Sequence, residues 1–133
     1  MSDSRSVLRR GARLLCWTLC LATALLGAKY CLDAWGRAHA GEHPYRWQID
    51  TATVQGVSYT AKSAFVRGDT LVLRLYRTGD PTLLAERMFT EHGVELHWTE
   101  DGWLIYDTSD TSYEEGSIRL PPTRLDNFLA RLP

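Results

Sequence analysis

The chain predicts an α+β protein: an N-terminal single transmembrane helix followed by a small two-layer domain, mostly antiparallel sheet with two helices on one face, in the order β-β-β-α-β-β-β-α. Three observations predict it. Residues 14–28 carry no charge and follow Arg5, Arg9, Arg10 and Arg13. Residues 70–77 put Leu71, Leu73 and Leu75 on one side of a period-two pattern. Residues 124–132 repeat Leu125, Phe128, Leu129 and Leu132 at the i, i+3, i+4, i+7 spacing of an amphipathic helix.

The arginines ahead of the apolar run fix a direction. Basic residues next to a membrane segment stay in the cytoplasm, because a guanidinium in hydrocarbon is costly, so everything downstream is exported. Fifteen residues at ~1.5 Å each reach only ~22 Å, short of the ~30 Å hydrocarbon core and close to a signal-peptide core. Lys29 can snorkel, however, and lets the helix continue through Tyr30, Cys31 and Leu32, with Trp35 and Tyr30 at interfacial depth. The small-residue site Ala38-His39-Ala40 lies well past the apolar run, which favours a retained signal anchor over a cleaved peptide. The segments are then a cytoplasmic basic stretch at 1–13, a transmembrane anchor at 14–35, a tether at 36–46 and an extracytoplasmic domain at 47–133. The expected location is the bacterial inner membrane, with the domain in the periplasm. Cys16, Cys20, Ala24 and Ala28 recur every fourth residue and form a strip of small side chains suited to a second transmembrane helix.

Charge agrees with export. Residues 1–13 carry four Arg against Asp3, whereas residues 47–133 carry eight basic against thirteen acidic side chains. By its net charge an acidic exported domain is a poor candidate for nucleic acid or anionic lipid, whose phosphates need a basic face, so no nucleic-acid partner is expected. All three cysteines fall at or before position 31, so the domain folds without a disulfide and holds no thiol nucleophile.

Within the domain, residues 47–54 read as a strand with Trp47, Ile49, Thr51 and Thr53 on one face. Residues 57–66 give a second strand with a bulge near Ser63, and Gly68-Asp69 supplies a hairpin turn into the leucine strand. That turn also spells Arg67-Gly68-Asp69, which its turn chemistry already explains. Asp80 as cap, Pro81 at the first position and Gly93 as stop predict a helix, with Leu84, Met88, Ala85 and Phe89 as its stripe. Residues 94–99 and 103–107 form a hairpin through Glu100-Asp101-Gly102, pairing Trp98 with Ile105 and Thr99 with Leu104. A strand over 116–120, a Pro121-Pro122 stop and a C-terminal helix with a Thr123/Asp126 capping box complete the order.

A search for chemistry finds little. His92 and His97 lack a ligand spacing, and His39 and His43 sit in a segment with Gly and Pro. No serine lies in a nucleophile elbow, no glycine-rich phosphate loop is present, and a domain of this size leaves little room for a glycosidase cleft. No enzymatic activity, cofactor or metal is expected. The least ordinary feature is the loop 107–115, whose nine residues combine Asp107, Asp110, Glu114 and Glu115 with Tyr113. Four clustered carboxylates repel one another, and a cationic partner relieves that cost. With Trp98, Trp103 and Tyr106 nearby, the loop is the expected binding surface for another protein, probed by charge and held by aromatics. An accessory subunit of an envelope complex and an immunity or inhibitor protein are the two forms of that expectation. A periplasmic small-ligand or metal-sensing module is the alternative, using the aromatic ribbon as a pocket wall.

Overall fold

The computed structural model describes residues 3–42, 46–90, 95–108 and 116–132, with side chains from residue 13 onward. The chain divides into two compact units, Met1–Trp35 and Gly36–Pro133.

The first unit is most of helix α1 (Asp3–Ala38), which continues into the second. A 26-residue stretch of it, Arg13–Ala38, is long and apolar enough to cross a membrane, and its most apolar window is unburied. At ~1.5 Å per residue it reaches ~39 Å, beyond the ~30 Å of hydrocarbon. The sequence-based bound of residue 35 stops three residues short of the helix end. Inside the apolar stretch the hydroxyls of Thr18 and Thr23 donate back to the carbonyls of Leu15 and Leu19 at 2.9 and 2.8 Å, so both are satisfied within the helix. Lys29 donates to Asp33 one turn on, at 2.6 Å. A signal sequence passes the same length and composition test as an anchor.

The second unit holds two antiparallel sheets around one core. The larger is a meander of β1 (Gln48–Val54), β2 (Val57–Arg67), β3 (Thr70–Arg77) and β4 (Leu83–Thr90). The smaller runs β5 (His97–Trp98), β6 (Trp103–Ile105) and β7 (Ser117–Arg119), followed by helix α2 (Arg124–Leu129). The predicted order β-β-β-α-β-β-β-α is therefore corrected: four strands precede the second sheet, and one short helix, not two, accompanies the sheets among the described residues.

The misread element is β4. Asp80 behaves as a cap does, since its carboxylate accepts the Thr82 amide at 2.8 Å, but the chain leaves this turn as a strand. Ala85, Arg87 and Phe89 pair with Leu75, Leu73 and Leu71 of β3, and Leu84, Glu86 and Met88 take the other face or the bulge. Leu, Ala, Glu, Arg and Met all favour helices, yet the exposed edge of a leucine strand needs a partner more than this segment needs its own hydrogen bonds. Residues 91–94, including the expected helix stop at Gly93, lie outside the described residues.

The leucine strand behaves as its pattern requires. Leu71, Leu73 and Leu75 are 0% exposed and meet Tyr59, Ala61, Ala85, Phe89 and, from the second sheet, Leu104, Tyr106, Ile118 and Leu120. The back of β3 is not simply wet, because Val72 is also fully buried. On β1 the face carrying Ile49, Thr51 and Thr53 points outward, and Ala52 and Val54 on the other face reach the core. The irregularity in β2 falls between Phe65 and Arg67, two residues beyond the predicted bulge at Ser63. Gly68 has φ +53, as the first turn position demands.

The hairpin register is also shifted by one residue: Trp98 faces Leu104, and His97 faces Ile105. The Thr99 amide bonds the Trp103 carbonyl at 2.9 Å and the Gly102 amide bonds the Thr99 carbonyl at 3.2 Å, with Gly102 at φ +96. This is a three-residue loop ending in a left-handed glycine, where Asp-Gly alone had predicted a two-residue turn. A register change of one residue exchanges the faces, so Trp98 turns inward beside Leu104.

Candidate functional site

The predicted binding surface lies at the second sheet, and the register decides which of its aromatics are available. Tyr106 is 6% exposed and stacks obliquely on Phe89 at 4.9 Å between ring centroids, so it belongs to the core. Trp98 is half-buried against the core and donates its indole N–H to Asp50 Oδ2 at 2.8 Å. Trp103 sits on the outer face opposite Arg119, whose guanidinium lies 5.8 Å from the ring centre. Only Trp103 of the three therefore turns its ring toward the outside, next to a cation.

The loop 107–115 has a firmly built base. The amides of Tyr106 and Asp107 both donate to the Gly116 carbonyl, at 2.9 and 3.1 Å. Any Cβ at position 116 would stand 2.4 Å from the Asp107 carbonyl oxygen, so the strands approach closely enough there to demand glycine. Asp107 is half-buried at this base. Asp110, Tyr113, Glu114 and Glu115 lie outside the described residues, so the structure fixes where the loop starts and ends but places none of these four side chains.

In the first unit Cys16, Cys20, Ala24 and Ala28 are all exposed along α1, and the cysteines are free thiols. Among the described residues no three His, Cys, Asp or Glu side chains gather as a metal would need. His97 has Glu95 at 3.8 Å and nothing further to complete a ligand set.

Three arrangements escape the sequence. A shallow cleft of about 210 Å³ is lined by Gln48, Ile49, Asp50, Ser63 and Leu96. Ser63 contributes to this lining at 1% exposure, and its buried hydroxyl has no hydrogen-bond partner among the described residues. Nothing in the spacing of residues 48–63 announces this, because it arises from strand pairing of Gln48 with Ser63.

The second arrangement is an ionic knot on the back of the larger sheet. Glu86 accepts from Arg74 Nε at 2.7 Å and has Arg37 Nε at 3.6 Å. Arg74 also donates to the Arg37 carbonyl at 2.8 Å, capping the last turn of α1, and lies over Trp47 at 5.1 Å. Gly36 fits against Val66, where a Cβ would be 2.4 Å from Cγ1. The predicted tether thus begins with residues held against the sheet.

The third is helix α2. Thr123 and Asp126 form the predicted capping box: the Thr123 amide and hydroxyl donate to Asp126 Oδ2 at 2.8 and 2.7 Å, and the Asp126 amide returns a bond to Thr123 Oγ1 at 3.2 Å. Arg87 of β4 donates to the other carboxylate oxygen. Burial alone would raise the Asp126 pKa, but the bonds from Thr123 and Arg87 outweigh it and hold the carboxyl below its usual range. The helix thereby turns its acid to the sheet and its leucines away. No family model, characterised protein or solved structure matches the chain.

Proposed function

We propose that this is a single-pass protein of the bacterial inner membrane whose acidic periplasmic domain binds another protein and performs no catalysis of its own. The observation that carries the reading is α1: a helix of spanning length whose apolar window is unburied, behind a run of arginines and ahead of a domain that has its own core. The Arg-rich end stays cytoplasmic and the domain is exported.

For the partner, the support is the composition of the loop 107–115, four carboxylates in nine residues, between ends held together at Gly116. Charge of one sign in a loop accelerates encounter with a basic surface, and Trp103 supplies an aromatic anchor on the second sheet. An envelope-complex subunit and an inhibitor of a basic-grooved enzyme both use this surface. The test is purification of the full-length protein in mild detergent with identification of what accompanies it at low and high salt. Recovery of a basic partner that salt weakens, and that is lost in Asp110→Lys/Glu114→Lys, is expected. A partner indifferent to both changes overturns the assignment of the loop.

A small-ligand module is the second reading, favoured by a cleft lined by Asp50 and Ser63, whose hydroxyl has no partner among the described residues. At about 210 Å³ the cleft is smaller than the ~300–1,000 Å³ of common ligand pockets, which ranks this reading below protein binding. Thermal stabilisation by a small polar compound, unaffected by salt and abolished in Ser63→Ala, would reverse that order.

A further inference from the structure

Helix α2 is oriented against the rule for a short helix on a small domain. Its one acid, Asp126, is 7% exposed and tied to Thr123 and Arg87, while Leu125 and Phe128 are 63% and 61% exposed. Leu129, on the same stripe, is 42% exposed, and Leu132, just past the helix end, 46%. Four large apolar side chains exposed within eight residues are more than scattered surface leucines and mark a contact.

The charges beside the strip identify the kind of contact. With Asp126 buried, the charged side chains within 124–132 that stay exposed are Arg124, in α2, and Arg131, just past its end. The domain as a whole is acidic, eight basic against thirteen acidic side chains over residues 47–133, which argues against anionic lipid by net charge, so the match is a local one. An apolar strip with a cation at each end is complementary to a surface that is apolar within and anionic at its rim. A phospholipid bilayer with anionic headgroups has that profile: leucine and phenylalanine enter the acyl boundary and guanidiniums meet phosphates.

A protein groove with an acidic rim has the same chemistry. The bilayer is favoured because the anchor proposed above keeps the domain beside a membrane at all times, which makes even a weak lipid contact intramolecular. We infer that α2 docks on the anionic surface of the membrane in which the chain is anchored, with Leu125, Phe128, Leu129 and Leu132 inserted and Arg124 and Arg131 at headgroup level. The inference rests on the anchor reading. It assigns the strip to lipid and leaves the loop 107–115 to the protein partner.

The experiment uses the full chain with Cys16, Cys20 and Cys31 replaced by Ser and one nitroxide-labelled cysteine at Leu21, Ile49, Leu125 or Phe128. Each variant is placed in nanodiscs of phosphatidylcholine with or without phosphatidylglycerol, and collision with oxygen is compared with collision with a water-soluble nickel complex. Labels at Leu125 and Phe128 are expected to gain oxygen and lose nickel access in the anionic discs, while Ile49 is unchanged between the two lipids. Arg124→Glu/Arg131→Glu is expected to reduce the protected fraction by roughly tenfold or more in its ratio to the free form. If Leu21 is in lipid while Leu125 and Phe128 stay open to nickel, docking is wrong and the anchor stands. If Leu21 itself is open to nickel, the anchor reading falls and takes this inference with it. Spin–spin broadening at Phe128 without lipid protection would show a second copy covering the strip, which also overturns it.

Discussion

Helices α1 and α2 each turn large apolar side chains to the outside, but in different surroundings. In α1 the exposed leucines and tryptophans cover most of the circumference, the small-residue strip of Cys16, Cys20, Ala24 and Ala28 covers the rest, and the hydroxyls among them bond back to their own helix. In α2 the apolar residues occupy one side, and the other side is fastened to β4 through Asp126 and Arg87. Apolarity around a whole circumference suits immersion in a bilayer, and apolarity along a strip suits contact at a boundary. The same residue type thus carries two different messages, distinguished by what the remaining faces do.

That contrast makes graded predictions. The largest effect belongs to neither helix: Leu73→Ala, at the centre of the leucine strand, is expected to lower domain stability by about 2–5 kcal/mol in chemical denaturation. Its full burial leaves a cavity with no easy collapse. Next, Leu21→Arg places a charge in the middle of α1 and is expected to cost about 3 kcal/mol of insertion, read as loss of carbonate-resistant membrane association. A fully associated Leu21→Arg protein would mean that α1 is not held by hydrocarbon.

Loss of the α2 cap comes third. Thr123→Ala is expected to cost about 1 kcal/mol and to loosen α2 from β4, visible as faster amide exchange over residues 124–130. Its pH dependence follows from Asp126. Because the folded carboxyl sits below its ordinary 3.8, its contribution is present above that value and is lost as pH falls through the lower folded pKa. Asp126→Asn is expected to remove this part of the acid destabilisation, and an unchanged acid limb would exclude the pairing. The smallest effect is the most diagnostic for α2: Leu125→Ser is expected to leave folding within about 0.5 kcal/mol, since the side chain packs on little. A loss like that of Leu73→Ala would show the strip to be core after all.

These contrasts also explain which parts of the fold were legible. The long apolar helix, the leucine strand, the Gly68 turn and the Thr123 cap each depend on residues within a few positions of one another, and their signals survive in the chain order. β4 was not legible because Asp80, Pro81 and its Leu-Ala-Glu-Arg-Met composition carry a local helix signal that pairing with Leu71, Leu73 and Leu75 overrides. The hairpin loop differs by a single residue from its expected length, yet that alone turns Trp98 inward beside Leu104 and leaves Trp103 on the outer face. For α2 the periodicity located the apolar strip but not its direction. An acid on the opposite face is usually solvated, and here Arg87, from a segment read as helix, draws it in. The loop 107–115 could be placed only by its ends, and its charge remains a property of sequence.

The central claim is the export of the domain behind a retained helix, and paired topology reporters fused after Pro133 test it most directly. Alkaline phosphatase, which matures only outside the cytoplasm, is expected to be active, and a cytoplasm-only fluorescent protein dark, with the fusion of full length in the membrane fraction. A silent phosphatase with a bright cytoplasmic partner would contradict export, and an active phosphatase released as a shortened soluble chain would contradict the anchor.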